Sequence, residues 1–138
     1  IIIALVYSSF AVFIYAPDPN VEAGPLTEML LTPGPLRIFW IFLALFFAPL
    51  VEEFLFRGVM LAGFAYSLGI YKASIIVTLV FVAVHAFEAV HYPPAFGGIT
   101  FVAIAVLYLR LKYKALGPSI AAHFGYNFII ALASLLGG

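Results

Sequence analysis

At 138 residues the chain has the length of one domain, but 66% of it is hydrophobic and only 9% is charged, against roughly 25% charged in soluble domains. Six acidic residues balance six basic ones and no basic tract points to nucleic acid, while the absence of Cys excludes disulfides, thiolate catalysis and thiolate metal sites. With a mean hydropathy of +1.21, these counts describe an integral, multi-pass membrane protein whose constant partner is the lipid bilayer.

A membrane-crossing helix takes about 20 apolar residues. Ile1–Ala16 is short for a span and reads as the end of one; with Ile at position 1, further residues are expected upstream. No charged n-region or cleavage site marks a signal peptide. Pro17 to Pro35 holds five prolines, two glycines and the acids Asp18, Glu22 and Glu28, a composition that breaks helices and suits an aqueous loop. The second span is expected from about Leu36 to Tyr66. Pro49 lies inside it, three residues before Glu52; it removes one backbone hydrogen bond and should kink or unwind the helix, freeing carbonyls. Lys72 to about His91 is the third span, ended by Tyr92-Pro93-Pro94. Ala95 to Leu109 is the fourth, where Gly97-Gly98 permit close packing. Arg110 to Lys114 forms a basic connector, and Ala115 to Leu136 is the fifth span, with Pro118 near its start. The expected fold is thus all-α, a polytopic transmembrane helix bundle of about five spans, the first partial. It divides into residues 1–35, a partial span and Pro-rich loop, and a bundle over residues 36–138.

Lys and Arg in short loops set orientation. Lys72, Arg110, Lys112 and Lys114 fall on one side, and Arg37 alone on the other. The basic connectors are therefore expected to be cytoplasmic and the Pro-rich loop extracytoplasmic.

Residues Val51-Glu52-Glu53-Phe54-Leu55-Phe56-Arg57 place two carboxylates and one guanidinium between the uncharged runs Ile38–Val51 and Gly58–Tyr71. Each charge near the bilayer midplane costs at least about 2.5–3.5 kcal/mol, so such a cluster reads as a site whose members neutralise one another. A structural ion pair would need only one Glu with Arg57. Glu53 and Arg57, four apart, share a helix face and can pair. Glu52 is turned about 100° away and needs another partner. The candidates are His85, one turn after Phe81 on the third span, and the His123/Asn127 pair on the fifth. A lone intramembrane His is often a packing residue bonded to a carbonyl. Two His, one Asn, two Glu and one Arg on separate spans fit that reading poorly. Counting about 1.5 Å per residue, Glu52, His85 and His123 can meet in the middle or inner half of the membrane. Glu88 and His91 read as a solvated helix end, and Tyr66, Tyr71, Tyr92 and Tyr113 suit the interfacial belt.

Glu52-Glu53-x-x-x-Arg57, Phe81-x-x-x-His85 and His123-x-x-x-Asn127 resemble the motifs of the CAAX protease and bacteriocin-processing family (CPBP, or Abi), which includes the type II CAAX prenyl endopeptidases. The resemblance runs from about Leu36 to Leu132; the family usually has more spans upstream than the partial one here. It implies an intramembrane endopeptidase, a hydrolase with its site inside the bundle and a peptide or lipid-modified protein as substrate. The residues themselves support this chemistry. Ser67, Ser74, Ser119 and Ser134 lie outside the polar cluster, so an acyl-enzyme is not expected. Glu52 and His85 can hold and deprotonate a water. His123 and Asn127 can donate to a developing oxyanion, each donor being worth about 3–4 kcal/mol. Glu53 and Arg57 form the supporting pair. The resemblance implies the same roles, with Glu52, His85, His123 and Asn127 catalytic. No cofactor is expected. The alternative is zinc on Glu52, His85 and His123, although no HExxH is present and Asn is a poor zinc ligand. Two readings from other classes stay open: a non-catalytic membrane subunit that keeps the cluster for folding or partner binding, and ion or proton transport, for which neither inverted repeats nor paired broken helices are visible.

Overall fold

Apolar stretches with helix formers at most positions and turn residues between them yield four helices among the described residues. The structure is a computed structural model that describes residues 33–86, 90 and 93–136. The expected partial span Ile1–Ala16, most of the Pro-rich loop, and Glu88, His91 and Tyr92 lie outside them. α1 runs Pro35–Leu68, α2 Ile70–Val84, α3 Pro94–Tyr113 and α4 Gly117–Leu136. No strand occurs among the described residues. α1 and α3 are long and apolar enough to cross a membrane, and α2 is a shorter apolar helix. At about 1.5 Å per residue, the 34 residues of α1 exceed the roughly 30 Å hydrocarbon layer.

α1 is expected to be disturbed at Pro49, and it is. Two wide turns of π type interrupt its α geometry, Leu43–Phe47 before the proline and Phe54–Met60 after the acidic pair. Each return to α geometry skips a carbonyl. Ala48 N–H reaches back five residues to Leu43 O, and Leu61 N–H reaches back five to Phe56 O. The carbonyls of Ala44 and Arg57 accept instead from Asn127 on α4 and Arg110 on α3.

Several boundaries differ from the sequence expectation. The connector before α2 is Gly69 alone, whose φ of 78° lies in the left-handed region where a Cβ is strained; Lys72 is therefore already helical. The expected basic connector is mostly the last turn of α3. The chain reverses only at Lys114, itself left-handed at φ 53°, whose N–H caps Arg110 O at 2.9 Å. The third helix, expected to reach His91, stops at Val84. At the break the His85 ring nitrogen Nδ1 takes Phe81 O at 2.8 Å, the carbonyl its own backbone N–H would use in an α-helix, and that N–H shifts to Val82 O at 3.2 Å. A side chain has displaced its own backbone from the helix ladder.

The core centres on a stripe at four-residue spacing on α2: Ala73, Val77 and Phe81 meet Val102, Ala103 and Val106 on α3 and Phe56 and Leu61 on α1. Lipid gives helices no hydrophobic reason to associate, so close packing of small residues must hold them. Gly98 is such a point. A Cβ there would collide with the Tyr126 hydroxyl and lie 3.3 Å from its ring Cζ. Gly98→Ala is expected to cost about 1–3 kcal/mol through overpacking, read as a lower midpoint of thermal unfolding in detergent. Gly125 on α4 is no such point: a Cβ there meets nothing within 4 Å among the described residues. Outside the core, Phe39, Phe42, Phe46, Leu50 and Phe54 are half or more exposed along α1. A soluble monomer rarely bares so much apolar surface; a lipid-facing helix does.

Candidate functional site

The polar residues singled out in the sequence lie where α1, α2 and α4 meet. Glu53 and Arg57 are fully buried and pair through Arg57 Nη1 and Glu53 Oε1 at 3.1 Å. The other end of the guanidinium donates from Nη2 to Ala103 O on α3 at 3.1 Å, and its carbon lies 4.3 Å from the centre of the Phe81 ring. Arg57 is thus shared between a carboxylate, a carbonyl and a π-face. This limits the cost of holding it away from water.

Glu53 has a second partner. His123 Nδ1 lies 2.9 Å from the same Oε1, which ties α4 to α1. Phe81 packs between the imidazoles, with ring centres 4.6 Å from His85 and 5.9 Å from His123. Glu52, turned away from this pair as expected, points Oε2 at both rings: His85 Nε2 and His123 Nε2 each lie 3.8 Å away. That oxygen is buried and has no hydrogen-bond partner among the described residues. A gap of 3.8 Å is too long for a direct hydrogen bond, so the carboxylate oxygen and the two ring nitrogens face one another without bonding.

The hydrogen-bond partners assign the tautomers. Phe81 O can only accept, so His85 carries its proton on Nδ1. Glu53, already accepting from Arg57, likewise accepts a hydrogen bond from His123 Nδ1–H. When such a ring is neutral, its Nε2 is a lone pair. In that form one carboxylate oxygen and two imidazole nitrogens, all acceptors, face one point. Only a donor or a cation satisfies them there. Tetrahedral zinc ligands at about 2.0–2.1 Å sit roughly 3.3–3.4 Å apart, closer than the 3.8 Å seen on either side of Glu52. Among the described residues no group of three His, Cys, Asp or Glu is arranged to hold a metal ion.

Asn127, one turn beyond His123, is half-buried and donates from Nδ2 to Ala44 O at 2.9 Å. Because His123 meets residue 53 and Asn127 meets residue 44, α4 runs antiparallel to α1. The structure therefore brings Glu52, His85 and His123 to one point and places Asn127 a turn along α4, anchored on α1. Sequence reasoning passed over Ala103 O and Ala44 O, since a carbonyl carries no side-chain signal. It also read Arg110 as a loop cation. Arg110 Nε donates to Arg57 O at 3.1 Å, and its place one turn before the end of α3 was the available clue.

The family model for type II CAAX prenyl endopeptidase Rce1-like proteins matches residues 34–129. The chain belongs to this family. The match begins at the start of α1 and covers every residue of the polar cluster. No curated protein and no solved structure matches the chain. Family membership makes this Rce1-like chain a protease of the CAAX type, and together with the apolar helices it indicates a membrane protein. The family's substrates are membrane-associated prenylated proteins.

Proposed function

We propose that this Rce1-like protein is an intramembrane glutamic endopeptidase that hydrolyses a peptide bond of a prenylated, membrane-associated substrate. The observation that carries the reading is Glu52 Oε2, buried and facing Nε2 of His85 and of His123 at 3.8 Å each. A water set among these acceptors points its hydrogens at Glu52 and His85 and its lone pair outward. Glu52 takes a proton as the water oxygen attacks the scissile carbonyl carbon. His123 first takes up a solvent proton at Nε2 and keeps it through the cycle; as an imidazolium it donates Nε2–H to the oxyanion while Glu53 balances its charge through Nδ1–H. The second N–H of Asn127 is the other donor. The C–N bond then breaks, and the proton held on Glu52 passes to the leaving amine, giving a carboxylic acid and an amine.

The proposed setting is a multi-pass bundle of about five spans with the catalytic part over residues 36–138. Its basic connectors are cytoplasmic, and substrate enters from that side or laterally from lipid. The test is cleavage of a farnesylated peptide ending in a C-a-a-X sequence by the purified protein in liposomes. Expected are turnover that survives removal of metal by chelation, and loss of cleavage in Glu52→Ala and His85→Ala. Stoichiometric zinc that leaves with activity and restores it on readdition would replace the water mechanism with a zinc site on Glu52, His85 and His123. A well-folded chain that cleaves no such peptide under any metal condition would favour the non-catalytic subunit.

A further inference from the structure

The first wide turn of α1 leaves a carbonyl that no backbone donor can reach. In an α-helix Ala44 O accepts from residue 48, and in a π turn from residue 49. The Ala48 N–H is committed to Leu43 O, and residue 49 is proline, which has no N–H. Asn127 Nδ2 fills the place from across the interface at 2.9 Å. The second wide turn sharpens the contrast. Arg57 O is skipped in the same way and served by Arg110, but the residue five positions on is Ala62, which keeps its N–H. A π turn alone is enough to skip a carbonyl. The buried Pro49 adds something more, because while Ala48 N–H is held by Leu43 O it removes the one other backbone donor that a π turn would offer to Ala44 O.

A carboxamide is planar, so fixing one Nδ2–H on Ala44 O fixes the direction of the other. Helix carbonyls point toward the helix C-terminus, so Ala44 O is aimed along α1 toward Glu52. We propose that Pro49 is a positioning residue for Asn127: lacking an N–H, it reserves Ala44 O as the anchor that directs the second amide N–H to the oxyanion. This rests on the protease reading above, and it assigns the proline three residues before Glu52 to the chemistry rather than to helix shape alone.

The test is Pro49→Ala in the full chain in liposomes, with a farnesylated C-a-a-X peptide as probe. The new N–H competes for Ala44 O, so kcat is expected to fall about 10–100-fold with KM unchanged, the scale of a misaimed oxyanion donor. Pro49→Val, with the same N–H and a side chain that fills the buried space, should show the same loss and guards against a packing effect. Asn127→Ala should lose at least as much, and Pro49→Ala added to it should lose nothing further. Independently of activity, the side-chain amide resonance of Asn127 in an ¹⁵N spectrum, identified by its disappearance in Asn127→Ala, should move in Pro49→Ala. Wild-type kcat in Pro49→Ala, or losses that multiply in the double variant, would overturn the assignment. If the wild-type protein does not cleave the peptide, the protease reading fails, and the amide resonance alone decides the anchor: a shift supports it and an unmoved resonance refutes it.

Discussion

Glu52→Gln is expected to lower kcat by about 10²–10⁴, the usual contribution of a general base, while the protein stays folded. Gln keeps the size of the side chain and removes its ability to accept a proton. Its amide hydrogens, on Nε2, can also donate to an unprotonated Nε2 of His85 or His123, so local packing should hold. Nothing in the supporting structure depends on this carboxylate: the Glu52 side chain is 25% exposed, and the buried pair of Glu53 and Arg57 bonds without it. Cleavage rate and thermal unfolding in detergent measure the two quantities separately. His85→Ala should parallel the loss in rate. A Gln variant that turns over at the wild-type rate would make Glu52 a spectator and leave the convergence of the three acceptors without a catalytic purpose.

The division of labour between Glu52 and Glu53 could be read from helical periodicity, because adjacent residues on a helix cannot face the same way and only Glu53 is four from Arg57. The Glu53–Arg57 bond at 3.1 Å and the turn of Glu52 toward two imidazoles follow that logic. The helices themselves were legible as apolar runs between Gly, Pro and basic residues, and the disturbance at Pro49 from proline's missing N–H. What escaped the sequence was of another kind. The end of α2 at Val84 arises because the His85 ring competes for Phe81 O, a local bond that no hydropathy pattern encodes. The reach of Arg110 to Arg57 O and of Asn127 to Ala44 O depends on which carbonyls the wide turns release, and that is set by backbone register. His123 was expected simply as a donor. Its contact with Glu53 places the proton on Nδ1 and makes a donating Nε2 conditional on a second proton, a consequence visible only once the partner is known.

Arg57→Met is expected to destabilise the protein by about 3–5 kcal/mol, because it leaves Glu53 charged and buried without its cation. Met preserves much of the volume under Phe81, so the loss reports charge more than cavity. The reverse change, Glu53→Gln, strands the guanidinium, which then keeps only Ala103 O and the Phe81 face; a loss of similar size is expected. Combining Glu53→Gln with Arg57→Met removes both charges, and replacing a buried ion pair by neutral groups is often close to neutral in stability. The double variant should therefore unfold nearer to the wild type than either single variant does. Its activity should not recover with it. Without Glu53 as a carboxylate, His123 loses the anion that fixes its Nδ1–H and balances an imidazolium, so its donation to the oxyanion should weaken and kcat stay low, by about 10²–10³ for one such donor. Thermal unfolding in detergent paired with cleavage rates decides between two roles for the pair. Stability and activity restored together would show that Glu53 and Arg57 only hold the helices. Restored stability with persistently low kcat would show that the pair, beyond filling the core, sets the charge on which His123 works.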